Sequence, residues 1–186
     1  MVTQNALPPP GTIGLTSISG TVGSLIHFGQ WLETQPLRRW FSKDDLPRLE
    51  HAFILLPGGM ILEAEPGGAR IVPLRYTNVF WCTSIYKLLP PGIMAEQFLG
   101  MARTYRDVGY SFLDYLSLTA HRLGLRNKEL EAYIRDTGHM ICSQLDDDFY
   151  ERFNAQVFTD GRYAGDVSPM DLYLRERELR KAEQTA

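Results

Sequence analysis

The chain has 186 residues, 44% of them apolar and 22% charged, with a formal net charge of −3. That is enough chain for one full core without staples, and too little positive charge to make an electrostatic case for nucleic acid or an anionic membrane. Its two cysteines, Cys82 and Cys142, are too few for a disulfide scaffold.

Residues 1–10, ending in Pro8-Pro9-Pro10 before Gly11, read as an irregular lead-in, and 11–186 as a single domain. The first ten residues carry neither a basic nor an apolar leader pattern, and no run reaches the roughly 18 apolar residues of a membrane span. Cytoplasmic residence is therefore the default expectation, with a phage particle as the alternative location.

A short extended piece is expected over Thr12–Ser17, and the spacing of Val22, Leu25, Ile26, Gly29 and Leu32 predicts a helix over 21–33. From His51 to Leu74 the pattern is β. Pro57-Gly58-Gly59 and Pro66-Gly67-Gly68 are turns between apolar runs, and Tyr76–Tyr86 is expected to add a fourth strand. After Pro90-Pro91-Gly92, helices are predicted at about 93–105, 111–123 (apolar spacing) and 128–136, the last with Asn127 as N-cap. A helix opening at Cys142 carries Leu145, Phe149 and Phe153 four apart. Another opens at Ser168-Pro169-Met170-Asp171, with its charged stretch 175–181 read as a solvated face. The fold class is α+β.

The chemistry centres on Cys142. A thiol at the start of a helix meets unpaired N–H groups and the positive end of the dipole, which favour a thiolate. A useful thiolate needs a base. His51 opens the strand-like run His51-Ala52-Phe53-Ile54-Leu55-Leu56, in which His51, Phe53 and Leu55 share one face. The three-residue Pro-Gly-Gly loop pairs Leu56 with Met60, setting Glu65 opposite His51 and Glu63 diagonal to it. Either carboxylate would orient the imidazole and fix its tautomer.

These pieces resemble the circularly permuted branch of the NlpC-type papain-like cysteine peptidase superfamily, the YiiX/YaeF-like proteins, in which a His-bearing sheet precedes a Cys-bearing helix. The resemblance is carried by Pro10-Gly11-Thr12-Ile13-Gly14-Leu15, His51-Ala52-Phe53-Ile54, Ile61-Leu62-Glu63-Ala64, Gly67 to Leu74, and Cys142-Ser143-Gln144-Leu145. It implies a permuted papain-like fold, a small antiparallel sheet packed against helices. It also implies Cys142 as nucleophile, His51 as base and Glu63 as the orienting acid. Tyr110 resembles the family's tyrosine near the nucleophile. Backbone N–H groups at the helix start, Ser143 among them, are the expected oxyanion donors. The implied substrates are peptides, peptidoglycan stem peptides or acyl groups, with no cofactor.

One departure stands out. Asp146-Asp147-Asp148 follows where the family has an apolar residue, and Asp146 lies one turn from Cys142. A carboxylate there would oppose the thiolate, although acids in the first turns favour the helix itself. This motivates a second expectation, a non-catalytic papain-like module used for binding or assembly in a phage or envelope particle. Cys82 reads as a buried apolar residue. His139 and Cys142 form an H-x-x-C pair without the further ligands that zinc needs, so no metal is expected.

Overall fold

The computed structural model describes residues 6–17, 47, 49–65, 68–106, 108–109, 141–162 and 167–185. The helices expected over 21–33, 111–123 and 128–136 lie outside the described residues, as do Asn127 and His139.

Five strands form one antiparallel sheet: β1 (Ile13–Thr16), β2 (His51–Leu56), β3 (Met60–Glu65), β4 (Gly68–Pro73) and β5 (Phe80–Cys82). Their order is β4-β3-β2-β1-β5. Four helices follow in the described residues: α1 (Thr83–Tyr86), α2 (Ala95–Arg103), α3 (Cys142–Glu151) and α4 (Pro169–Thr185). The class is α+β, as expected.

The Pro57–Gly59 turn sets the register. Pro57 starts it, Gly58 and Gly59 adopt the left-handed φ values of +74° and +69° that the reversal needs, and Leu56 pairs with Met60. Phe53 then pairs with Glu63, so Glu63 is diagonal to His51. The β3–β4 pairing continues the ladder and sets Arg70 opposite Glu63.

Alternation divides the apolar residues of the sheet between two faces. Ala52, Ile54, Leu56, Leu62 and Ala64 join the main core with Cys142, Leu145 and Phe149 of α3. Phe53, Leu55 and Ile61 form a smaller cluster with Val72, Leu74, Tyr76, Val79 and Trp81. β2 is buried along its whole length, which explains its nearly unbroken apolar run.

The Pro10–Leu15 segment lies where backbone approaches closely. Gly14 pairs with Phe53 on one side and Trp81 on the other, and a Cβ there would sit 2.4 Å from the Phe53 ring and 2.9 Å from Trp81. The Gly11 N–H donates to Leu55 O (2.7 Å) and its carbonyl accepts from the Tyr150 hydroxyl (2.8 Å), tying β1 to both β2 and α3.

Two expectations are corrected. Tyr76–Tyr86 is not one strand: only Phe80–Cys82 pairs, against β1 at the sheet edge, and the chain then turns into α1. The charged stretch 175–181 is not wholly solvated. Glu176 is fully buried, and its carboxylate accepts from the Ser84 N–H (3.0 Å) and the Ile85 N–H (2.8 Å) at the start of α1. Helix α1 has no side-chain cap of its own, so Glu176 supplies one from far along the chain. The Ser168 capping expected for α4 is present. Asp171 N–H donates to Ser168 Oγ (3.3 Å), and Ser168 N–H donates to Asp171 Oδ2 (2.8 Å).

Candidate active site

Helix α3 opens at Cys142 itself, after Ile141 in extended backbone. Ile141 offers no side-chain acceptor. Gln144 compensates in one direction, its Oε1 accepting the Ile141 N–H (3.0 Å). The helix lies across β2 and β3. Ser143 is buried, and its hydroxyl donates to Val167 O (2.7 Å), so that side chain has a structural task and only its backbone N–H is available to a substrate.

Three sequence-predicted residues come together at this helix start. His51 Nε2 meets Glu63 Oε2 at 3.1 Å, and the Cys142 side chain lies near enough to the ring to favour its charged form. With Nε2 committed to Glu63, Nδ1 is the ring nitrogen left for the sulfur. Glu65 does not share in this contact; of the two acids left open by the register argument, the one against the imidazole is Glu63. Tyr110 lies outside the described residues.

Glu63 is fully buried and its charge is heavily compensated. Its Oε2 accepts from the Tyr76 hydroxyl (2.7 Å) as well as from His51. Its Oε1 accepts from Arg70 Nε (2.9 Å) and lies 3.0 Å from Arg75 Nη2. Glu63 is thus held inside the fold, while Glu65 is only partly covered and pairs with both arginines.

The electrostatics follow from this packing. Burial works against charge on the imidazole, but contacts with Cys142 and Glu63 outweigh it and raise His51 from 6.5 to about 10. Burial likewise works against the Glu63 carboxylate, yet His51, Tyr76 and Arg70 hold it down at about 2. At neutral pH the site therefore contains an imidazolium clasped between a carboxylate and a sulfur.

The aspartate triplet divides into three environments. Asp146 is fully buried with no hydrogen-bond partner on either oxygen, and burial first, then the charge of Cys142, pushes its pKa well above the ordinary value. Burial without a hydrogen-bond partner thus works against the Asp146 anion one turn from Cys142. Asp147 is raised to about 7 by burial and by the neighbouring Glu151 charge. Asp148 accepts from the Tyr105 hydroxyl and from Arg152 Nε (2.7 Å), which secures the outer face of the helix.

Arg70, Arg75 and Tyr76 are functional neighbours that the sequence reading missed. Arg70 had a signal, because the antiparallel pairing of β3 with β4 sets it opposite Glu63. Arg75 and Tyr76 follow β4 in irregular backbone, where no periodicity points to them. His51, Glu63 and Glu65 each bring a possible metal-ligand atom within 4.8 Å of the others. Two guanidinium groups already neutralise those carboxylates, and a cation would have to displace them.

The site is closely covered: Cys142 is 4% exposed and His51 2%. No helix among the described residues is long and apolar enough to cross a membrane. Compared with known protein families and with curated proteins, the chain matches no family model and no curated sequence.

Proposed function

We propose that this chain is a thiol hydrolase of permuted papain-like fold, with Cys142 as nucleophile, His51 as acid and base, and Glu63 as the residue that orients His51. The observation that carries the reading is the buried imidazole held between the Cys142 side chain and a Glu63 carboxylate. A thiolate paired with an imidazolium is ready to attack, and the same imidazolium can protonate a leaving group.

The reaction runs in two halves. The sulfur attacks the substrate carbonyl carbon, and the oxyanion that forms is met by the N–H groups at the start of α3, that of Ser143 among them. Collapse breaks the carbonyl–leaving-group bond, His51 gives its proton to the departing amine or alcohol, and a thioester remains on Cys142. Water then donates a proton to His51 and adds to the thioester carbonyl. The second collapse releases the acid and restores the thiolate and imidazolium. Peptide amides, including peptidoglycan stem peptides, are the first substrate class, and acyl esters the second.

The test is hydrolysis of an amide and ester panel by the native protein and by Cys142→Ala. Loss of turnover in the variant is the expected result, and equal turnover in both rules the reading out.

The shallow exposure of Cys142 and His51 favours a second reading, a papain-like module that binds or assembles without turnover. Reagent access separates the two. In a hydrolase, Cys142 of the native protein reacts with iodoacetamide. In the module it reacts only after denaturation.

A further inference from the structure

Among the described residues, the only buried side-chain polar atoms without a hydrogen-bond partner are the two carboxyl oxygens of Asp146. The proposed reaction gives them no task. Asp146 sits one turn after Cys142, a spacing that stacks the two side chains on the same helix face with Cβ atoms about 5–6 Å apart. No part of it is exposed.

An ionised carboxylate in such a place costs several kcal/mol in lost hydration, with no hydrogen bond to offset it. The groups acting on it come from several elements. Cys142 and Asp147 on its own helix oppose ionisation, whereas His51 on β2 favours it. Cys82 on β5, Tyr105 beyond α2 and Tyr150 on α3 also lie within its electrostatic reach. The thiol and the carboxyl are thus two acids facing one imidazolium. If Asp146 gave up its proton first, it would take the imidazolium as its counter-ion and the sulfur would hold its proton.

We propose that Asp146 is a positioning residue that works as a neutral carboxylic acid beside Cys142, so that it adds no negative charge to compete with the sulfur for the imidazolium. This rests on the thiol-hydrolase reading above and adds a charge requirement to it. The fold meets that requirement by burying Asp146 without a hydrogen-bond donor for its anion.

Infrared spectroscopy of the native protein tests this directly. A protonated-carboxyl C=O band is expected at neutral pH and is assigned by its loss in Asp146→Asn, or in Asp146→Leu if the first variant does not fold. Because thiolate and carboxylate oppose each other, the band should bleach at lower pH in Cys142→Ala, by about one pH unit or more. A buried acid with a purely structural role would titrate alike in both proteins. Absence of the band at neutral pH overturns the proposal, as does an unchanged midpoint in Cys142→Ala. Asp146→Asn should also keep the native rate of Cys142 alkylation to within about threefold, well under the tenfold that one unit of thiol ionisation would give. A tenfold rise would mean that Asp146 is an anion in the native protein. Failure of the hydrolase reading is recognised separately, by full turnover in Cys142→Ala, and leaves the infrared result standing.

Discussion

Tyr76 and His51 donate to the same oxygen of Glu63, at 2.7 and 3.1 Å. The tyrosine therefore fixes where the carboxylate oxygen stands, and the oxygen fixes the imidazole. Tyr76→Phe keeps the ring stack on Phe53 (5.2 Å between centroids) while removing the hydroxyl. The expected cost is about 1 kcal/mol or more, as for a hydrogen bond to a charged group. A severalfold drop in turnover at little changed KM should accompany it, measured by steady-state kinetics on whichever substrate the panel identifies.

His51→Ala removes the cation beside the sulfur and the proton source for the leaving group. Turnover should fall by roughly 10²–10⁴-fold. Cys142 alkylation near neutral pH should slow as well, with the rate recovering as pH rises. A variant that alkylates like the native protein at every pH would show that His51 does not govern the thiol.

Stability should decline on both sides of mildly acidic pH. The folded protein keeps the His51 proton up to about 10, whereas the unfolded chain releases it near 6.5, so stability is lost as pH rises through that interval. Glu63 works in the other direction. Its folded value of about 2 against 4.5 unfolded means that stability is lost as pH falls below about 4.5. Asp147, raised from 3.8 to about 7, adds a further decline between those values as pH rises. Thermal unfolding across pH should show this profile, and His51→Ala should flatten its alkaline arm.

Glu176→Ala removes the acceptor for two buried N–H groups at the start of α1. Leaving such donors unpaired costs about 1–3 kcal/mol each. Calorimetry should register the loss, while Cys142 alkylation in the folded variant stays at the native rate because Glu176 contacts neither His51 nor Glu63.

Gly14→Ala should be as damaging as a larger core change. The added carbon would meet the Phe53 ring, which is already held by Tyr76 on one side and Trp81 on the other. Overpacking of this kind costs about 1–3 kcal/mol, and the ring nearest to yield is the one beside His51 (6.3 Å between centroids). Lower thermal stability together with slower turnover is the expected result.

What could be read in the sequence was local. The Pro57-Gly58-Gly59 turn carries its own register, and that register puts Glu63 diagonal to His51 before any tertiary contact is considered. The helix start at Cys142 and the capping at Ser168 are likewise short-range properties. Burial was not readable. The burial of Glu63 depends on Arg70, Arg75 and Tyr76 converging on it, and two of those come from irregular backbone. Glu176 was hidden in a run of charges, because nothing in that run announces a contact with Ser84. Asp146 was correctly placed on the Cys142 face, but whether it holds its proton depends on everything packed around it.

The order of elements along the chain also bears on how the protein is made. The five strands carry His51, Glu63, Arg70 and, just beyond β4, Tyr76; they all precede Cys142, and most pair with a near neighbour in sequence. On a ribosome, chains fold from the amino-terminal side as they emerge. His51 and Glu63 are thus synthesised before Cys142, which arrives onto a sheet able to receive it. A growing polypeptide of this design has little time in which the Cys142 side chain stands without its neighbours on the sheet.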